Sequence, residues 1–399
     1  MRIVDIHERT LSISRFADPA VPSGGLTTSA VVVVTDVQRG GGPVTGYGFA
    51  SMGRFAQGGL IRERFAPRLL AAADTELADA SGTNIDPFRA WQVMMVGEKP
   101  GGHGERCVAV GTLDMALWDA AAKIAGLPLY QHLANRLGGK VTTSQRVVVY
   151  AGGGYYYPAN DLHRLGEEIR RFRDLGYDRV KIKIGGVPLA QDLKRVEAAA
   201  RLLPDASHLA VDAIYAYSAT SALDAATALA PFGLWWLEDI CDPLDFDTLG
   251  AVAARYAAPI AAGEALFSAA EAKLLDRHAG LRRDRDILLF DPVHCYGLPG
   301  YLDIMAVLES RGWPRGSFWP HGGHLFCLHL ATGLGLGGAE VNPLCFQPFG
   351  GYGDNTTIVA SAAEPPVVPG IGFELKRSLR HAFEALLGDK ACPAACEVR

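Results

Sequence analysis

Three carboxylates at equal intervals constrain this chain more than any other feature. Asp212, Glu238 and Glu264 each end a short apolar run, in Ala210-Val211-Asp212, Trp235-Trp236-Leu237-Glu238 and Ala261-Ala262-Gly263-Glu264, and successive acids stand 26 residues apart. A strand and its crossover helix take about that much chain, so the pattern predicts consecutive parallel strands of one barrel, each with an acid at its C-terminal end. Strands buried on both faces have no room for idle charge. Three carboxylates on one rim repel one another unless a cation lies among them. Oxygen donors without His or Cys point to Mg2+ or a close relative rather than zinc. Each acid alone could equally cap a helix or pair with a Lys or Arg; three in sequence favour the metal.

The strand before these acids reads Val180-Lys181-Ile182-Lys183-Ile184. Lys181 and Lys183 lie two apart and so face the same side. Inside a barrel their charges need anions, or a lowered pKa that would let Lys183 act as a base. The plainer alternative has both lysines reaching out to solvent. Later in the chain, Asp291 ends Leu288-Leu289-Phe290-Asp291, and His321 follows Phe318-Trp319-Pro320. An Asp on the neighbouring strand would fix one imidazole tautomer and stabilise its cation, making His321 a second acid or base facing Lys183. A zinc site from His321, His324, Cys327 and His329 lacks the usual paired spacing. The run Gly333 to Gly338 matches GxGxxG, but no strand–helix unit with a later acid surrounds it, so a packed barrel loop is expected.

The rest of the chain fits around this half. With 399 residues, 49% apolar and 20% charged, it suits a barrel of about 250 residues and a companion. The region 1–145 reads as a small α+β domain. Strands are expected at Ile3–Ile13, Ala30–Asp36 and Thr45–Phe49, a loop at Arg15–Thr28, and helices near 58–80, 86–96 and Val108–Ala125. From 146 to 369 strands alternate with helices. The expected strands are Val147–Ala151, Arg179–Ile184, His208–Asp212, Trp235–Glu238, Ile260–Glu264, Ile287–Asp291, Ser317–Pro320 and Ala339–Val341. A last amphipathic segment, Phe373–Leu387, is expected to complete the first domain with residues 370–399. A net charge of −5 with dispersed Lys and Arg gives no nucleic-acid surface. No run of about 18 apolar residues implies a membrane span, and the charged N-terminus reads as a strand rather than a signal peptide. Seven scattered cysteines fit reduced thiols in a cytoplasmic enzyme, with Cys392 and Cys396 an incidental CxxxC.

A Lys-x-Lys strand, acids on the next three strand ends, then Asp and His, resembles the enolase superfamily and its mandelate-racemase-like group. Longer motifs narrow the likeness: Gly46-Tyr47-Gly48-Phe49, Gly58 to Arg64, Glu98 to Arg106, Gly152 to Pro158 and Phe346 to Gly351 resemble the D-tartrate dehydratase family. The resemblance implies an α/β fold, a modified TIM barrel (β/α)7β with an N-terminal α+β capping domain, and Mg2+ on Asp212, Glu238 and Glu264. It implies a hydroxy-carboxylate substrate, Lys183 as base, Lys181 and the metal stabilising the ene-diolate, and His321, oriented by Asp291, as acid for the leaving hydroxyl. It also implies substrate contacts at Lys99, Tyr155 and Glu340, D-tartrate to oxaloacetate as the first candidate reaction, and a homo-oligomer. Three positions depart from the pattern. Ile214 stands where an Asn is usual, and an isoleucine side chain donates no hydrogen bond. Ala50 and Met52 also replace Asn, leaving a less polar wall and pointing to a different or less hydroxylated acid. Other acid-sugar dehydration, racemisation or epimerisation, and metal binding with impaired catalysis are the alternatives.

Overall fold

The computed structural model describes residues 1–138 and 145–388; Cys392 and Cys396 lie outside them. Strands β1 (Ile3–Ser12), β2 (Thr27–Arg39) and β3 (Gly42–Phe49) form an antiparallel sheet in that order. Gly40 and Gly41 turn β2 into β3 with positive φ, which lets both strands run longer than their apolar cores predict. The helix Glu105–Ala125 lies across this sheet and is buried along nearly its whole length. Glycines permit the approach: a Cβ on Gly46 or Gly48 would collide with the carbonyls of Ala116 and Thr112. On its other side, Gly111 abuts the Val293 carbonyl, and buried Asp114 accepts the Leu298 N–H at 2.7 Å. One helix thus joins the cap to the second half of the chain.

That half is a parallel barrel. Strands β4 (Val147–Gly152), β5 (Val180–Lys183), β6 (Leu209–Asp212), β7 (Trp236–Glu238), β8 (Ile260–Ala262) and β9 (Ile287–Leu288) pair in sequence, and β10 (Ala339–Val341) returns to β4. Between β9 and β10 the expected strand Ser317–Pro320 is reduced to a bridge at Phe318. Trp319 and His321 still donate to the Leu288 and Phe290 carbonyls, at 2.9 and 3.3 Å. Pro320 has no N–H to offer β10, so the second ladder cannot form. Seven crossover helices follow the first seven barrel positions, from Asp161–Asp174 to Leu325–Leu334. After β10 the chain instead runs to β11 (Ala362–Ala363), antiparallel to β4. The architecture is the (β/α)7β barrel with an antiparallel capping sheet.

Alternation along the strands sets the two faces. Val180, Ile182, Leu209, Val211 and Leu237 pack outward in the main core. Tyr150, Ala210, Trp236, Ala261, Leu289 and Trp319 form a separate inner cluster. Lys181, Lys183, Asp212 and Glu238 belong to the inward set, above that aromatic floor. In the run Gly333–Gly338, Gly337 packs against the Gly316 carbonyl and Gly338 against the Trp319 ring, which leaves no room for a phosphate. The helix Arg377–Gly388 lies against β1 and β2, with Phe383 stacked on Tyr47 at 4.5 Å. Among the described residues no helix is long and apolar enough to cross a membrane.

Candidate active site

Register builds the acid row. Lys183 pairs with Asp212, and Asp212 with Glu238, across adjacent strands, so their side chains emerge level with one another. Glu264 lies two residues beyond the end of β8, where Gly263 at φ 124° redirects the chain. One oxygen from each of Asp212, Glu238 and Glu264 lies within 4.8 Å of the others. Three hard donors this close suit a divalent cation with oxygen coordination and leave positions for other ligands. Asp212 and Glu238 are fully buried, while Glu264 opens to solvent.

The lysines complete the charge pattern. Lys181 Nζ lies 2.5 Å from Glu238 Oε1, 3.1 Å from Glu340 Oε1 and 3.8 Å from Asp212 Oδ2. Lys183 Nζ bonds Asp212 Oδ2. Both lysines are inside the barrel, not reaching out to solvent. Burial opposes the charge of each, but the carboxylates outweigh it and hold both pKa values above the usual lysine range. Burial likewise opposes ionisation of Asp212, yet Lys183 and Lys181 pull it down to about 2. Lys183 and Asp212 thus stand in direct contact as a buried ion pair.

Across the cavity, His321 Nδ1 lies 2.8 Å from Asp291 Oδ2. Its Nε2 faces Glu264 at 3.5 Å and Glu340 at 3.6 Å. Burial works against an imidazolium, but Glu264, Glu340 and Asp291 together raise the pKa to about 10. His321 thus carries a proton on Nε2, the nitrogen turned to the cavity. Asp291 is held ionised below the usual carboxylate range; burial opposes this, and His294 and His321 overcome it. The glycines after His321 are required by packing. A Cβ on Gly322 would strike His324 and Ser51, and one on Gly323 would strike Asn342.

Lys183, Asp212, Glu264, His321, Glu340 and Tyr155 all line one cavity of about 390 Å3. Lys183 Nζ sits 5.2 Å from the Tyr155 ring centroid, and burial pushes the Tyr155 phenol up to about 12, keeping it neutral. Lys99 is not brought there: it is exposed, and its carbonyl accepts from Arg106 at 3.0 Å. The motif around it is a joint, with Arg64, Arg68 and Arg106 converging on Glu98 and Arg106 also bonding the Tyr296 hydroxyl at 2.7 Å. Met52 lines the cavity, whereas Ala50 is buried in the main core. Ile214 adopts φ 45°, an unfavourable conformation for a β-branched residue. Its backbone N–H donates to Asp212 Oδ1 at 2.8 Å, so the main chain orients the acid that an isoleucine side chain cannot.

Other residues at this site carry little signal in the sequence. Ser51, from the cap, donates to Asp291 Oδ2 at 2.5 Å and contacts His324 Nε2 at 3.1 Å. His294 is completely buried, its Nε2 3.7 Å from Asp291, and burial drives it down to about 4. Asp239 follows Glu238 and is buried; burial first, then Glu264 and Glu238, raise its pKa well above the carboxylate range. Only Asp239 leaves a trace, as a second acid directly after a strand-end acid. Arg15 and Arg54, from two cap loops, also line the cavity.

Comparison with known proteins agrees with this geometry. Residues 164–379 match the Enolase C-terminal domain-like family. Arabinonate dehydratase of Saccharolobus solfataricus is 28% identical over 59% of this chain and 60% of its own length. L-talarate/galactarate dehydratase of Salmonella typhimurium is 29% identical over 61% of this chain and 58% of its own length. The chain therefore spans about three fifths of the length of these relatives. In fold it is similar to an enolase-superfamily member from Polaromonas sp. JS666, with TM-score 0.72 and 26% identity over 93% of this chain and 94% of that one. L-talarate dehydratase from the same organism, complexed with Mg and L-glucarate, gives 0.70 at 24% identity, over 93% and 94%. With more than half of its length matched, the chain belongs to the Enolase C-terminal domain-like family.

Proposed function

We propose that this protein is a Mg2+-dependent hydro-lyase acting on a hydroxy acid, with D-tartrate to oxaloacetate the first candidate. The observation that carries the reading is that Lys183 and His321 line one cavity together with Asp212 and Glu264. Dehydration α,β to a carboxylate needs a base for a weakly acidic C–H and an acid for a poor leaving group. Asp212, Glu238 and Glu264 would hold the cation. When bound, it offsets the second negative charge that develops on the substrate carboxylate. Lys183 Nζ, which lines the cavity beside Asp212, would in its neutral form accept the α-proton. Lys181, fixed between Glu238 and Glu340, places a positive charge beside the carboxylate that gains electron density. His321 delivers its Nε2 proton to the β-hydroxyl as the C–O bond breaks, and Asp291 holds the ring through Nδ1 and balances its charge. Water leaves, and the enol product tautomerises to a 2-keto acid.

The same two groups would also serve racemisation, with Lys183 removing the proton and His321 returning it on the opposite face. That both line one cavity makes this the second reading. Product analysis separates the two: a 2-keto acid for dehydration, a stereoisomer for racemisation. The test is oxo-acid formation with Mg2+ over tartaric, aldaric and aldonic acids, in wild type, Lys183→Ala and His321→Asn.

A further inference from the structure

Both halves of the chain line the cavity. The barrel contributes Lys183, Asp212, Glu264, His321 and Glu340. The cap contributes two arginines, Arg15, from the loop between β1 and β2, and Arg54, from the loop after β3. Several other cap arginines are engaged by acids: Arg62 by Glu8, Arg64, Arg68 and Arg106 by Glu98, Arg136 by Asp86. Arg15 and Arg54 pair with no carboxylate among the described residues. Each is instead held by an aromatic ring. The Arg15 guanidinium carbon lies 5.7 Å from the Tyr155 ring centroid, and that of Arg54 lies 4.8 Å from the Phe267 centroid. Arg15 Nε also bonds Ser23 Oγ at 3.3 Å, which leaves both of its terminal nitrogens free. A guanidinium set against a ring keeps its N–H edge available for a planar anion.

We infer that Arg15 and Arg54 form the subsite for a second carboxylate, so that the substrate is a short hydroxy-dicarboxylate. This rests on the hydroxy-acid reading of the site, with the first carboxylate at the acid cluster. Beside the polar Tyr155, Tyr215 and Asn342, the cavity is lined by Leu26, Met52, Phe55, Ile214 and Phe346, whose side chains offer no hydrogen bond beyond the weakly accepting Met52 sulfur. Hydroxyls of a long polyol that meet these groups lose water without recovering hydrogen bonds, whereas a diacid has a second charge to place on the arginines.

Matched acids test this subsite. Tartrate and threonate, and galactarate and galactonate, differ by one terminal carboxylate against a hydroxymethyl group. Binding of each is measured calorimetrically with Mg2+, and oxo-acid release is followed separately, in wild type, Arg15→Gln and Arg54→Gln. Wild type is expected to bind the diacid of at least one pair tighter by tenfold or more. Each Gln variant is expected to weaken that diacid by roughly tenfold to a hundredfold, the range for a hydrogen bond to a charged group, and the mono-acid by less than about twofold. Arg15→Lys and Arg54→Lys keep the charge without the fork and fall between, and serve if a Gln variant fails to fold. Preference for mono-acids, equal weakening of both members of a pair, or no binding of any acid by wild type would each overturn the subsite. Selective diacid binding without oxo-acid release would keep the subsite and remove the dehydratase reading. Release from mono-acids alone would do the reverse.

Discussion

Ser51 and Asp291 are 240 residues apart in the chain, yet a hydrogen bond of 2.5 Å joins them. The serine comes from the loop after β3 in the cap, the aspartate from the turn after β9 in the barrel, and the aspartate holds His321. Asp291 Oδ2 thus receives one bond from each half of the protein, and its Oδ1 accepts the Val293 N–H at 2.7 Å.

The first prediction follows from that bond. Ser51→Ala removes a donor from a fully buried carboxylate, a loss of about 1–3 kcal/mol. The denaturation midpoint should fall and turnover should drop, with Mg2+ affinity unchanged. Ser51→Thr, which keeps the hydroxyl, should recover most of both. Unchanged turnover in the alanine variant would show that the cap does not position the Asp291–His321 pair.

Metal binding should stabilise the fold by mass action, by about 2.7 kcal/mol at a hundred times Kd. Glu264 is the ligand candidate to test, since its side chain is 18% exposed, whereas removing Glu238 would leave Lys181 with one buried partner fewer. Mg2+ should raise the melting temperature of wild type and should do so much less for Glu264→Gln. An equal rise in both would place the cation elsewhere.

Ile214 should be improvable. A β-branched residue at φ 45° carries strain of about 1–3 kcal/mol, and Asn tolerates this region better. Ile214→Asn should raise stability by about 1 kcal/mol while keeping the backbone bond to Asp212, as read from chemical denaturation. A destabilised variant would mean that the apolar contacts of Ile214 outweigh its backbone strain.

Acid should unfold the protein through its buried imidazoles. His329 accepts the Tyr130 N–H at Nδ1, 3.2 Å, and faces the Ile371 carbonyl with Nε2, 2.9 Å. Burial lowers its pKa to about 3, and burial also takes His324 and His132 down to about 4. A group depressed in the fold favours folding above its unfolded pKa of about 6.5 and ceases to as pH falls towards the folded value. Stability should decline from about pH 6.5 to pH 4, by about 3 kcal/mol for His329 alone. Urea midpoints across this range should fall steeply for wild type and less steeply for His329→Gln. A flat wild-type profile would contradict the buried neutral assignment.

Much of the barrel was legible because its signals are local. An apolar run ending in an acid marks both a strand and its C-terminal end, and the spacing of Asp212, Glu238 and Glu264 marks their succession. Strand ends were less legible: the expected runs to Glu264 and Asp291 overshoot, since β8 stops at Ala262 and β9 at Leu288. The acids hang from the turns beyond. The strand around Phe318 failed for a reason visible in the sequence, the missing N–H of Pro320. Contacts that come from folding alone were not readable. Ser51 meets Asp291 only where the cap meets the barrel, and His294, three residues after Asp291, reaches it through the turn that follows β9. The contact of Lys183 with Asp212 is decided by strand register and not by composition.

Oxo-acid formation in the presence of Mg2+ tests the central claim most directly, with wild type beside Lys183→Ala and His321→Asn. Turnover of a hydroxy acid by wild type, lost in both variants while Mg2+ still binds, is the predicted result. Turnover that survives Lys183→Ala, or silence of wild type across tartaric, aldaric and aldonic acids with Mg2+ bound, would contradict it.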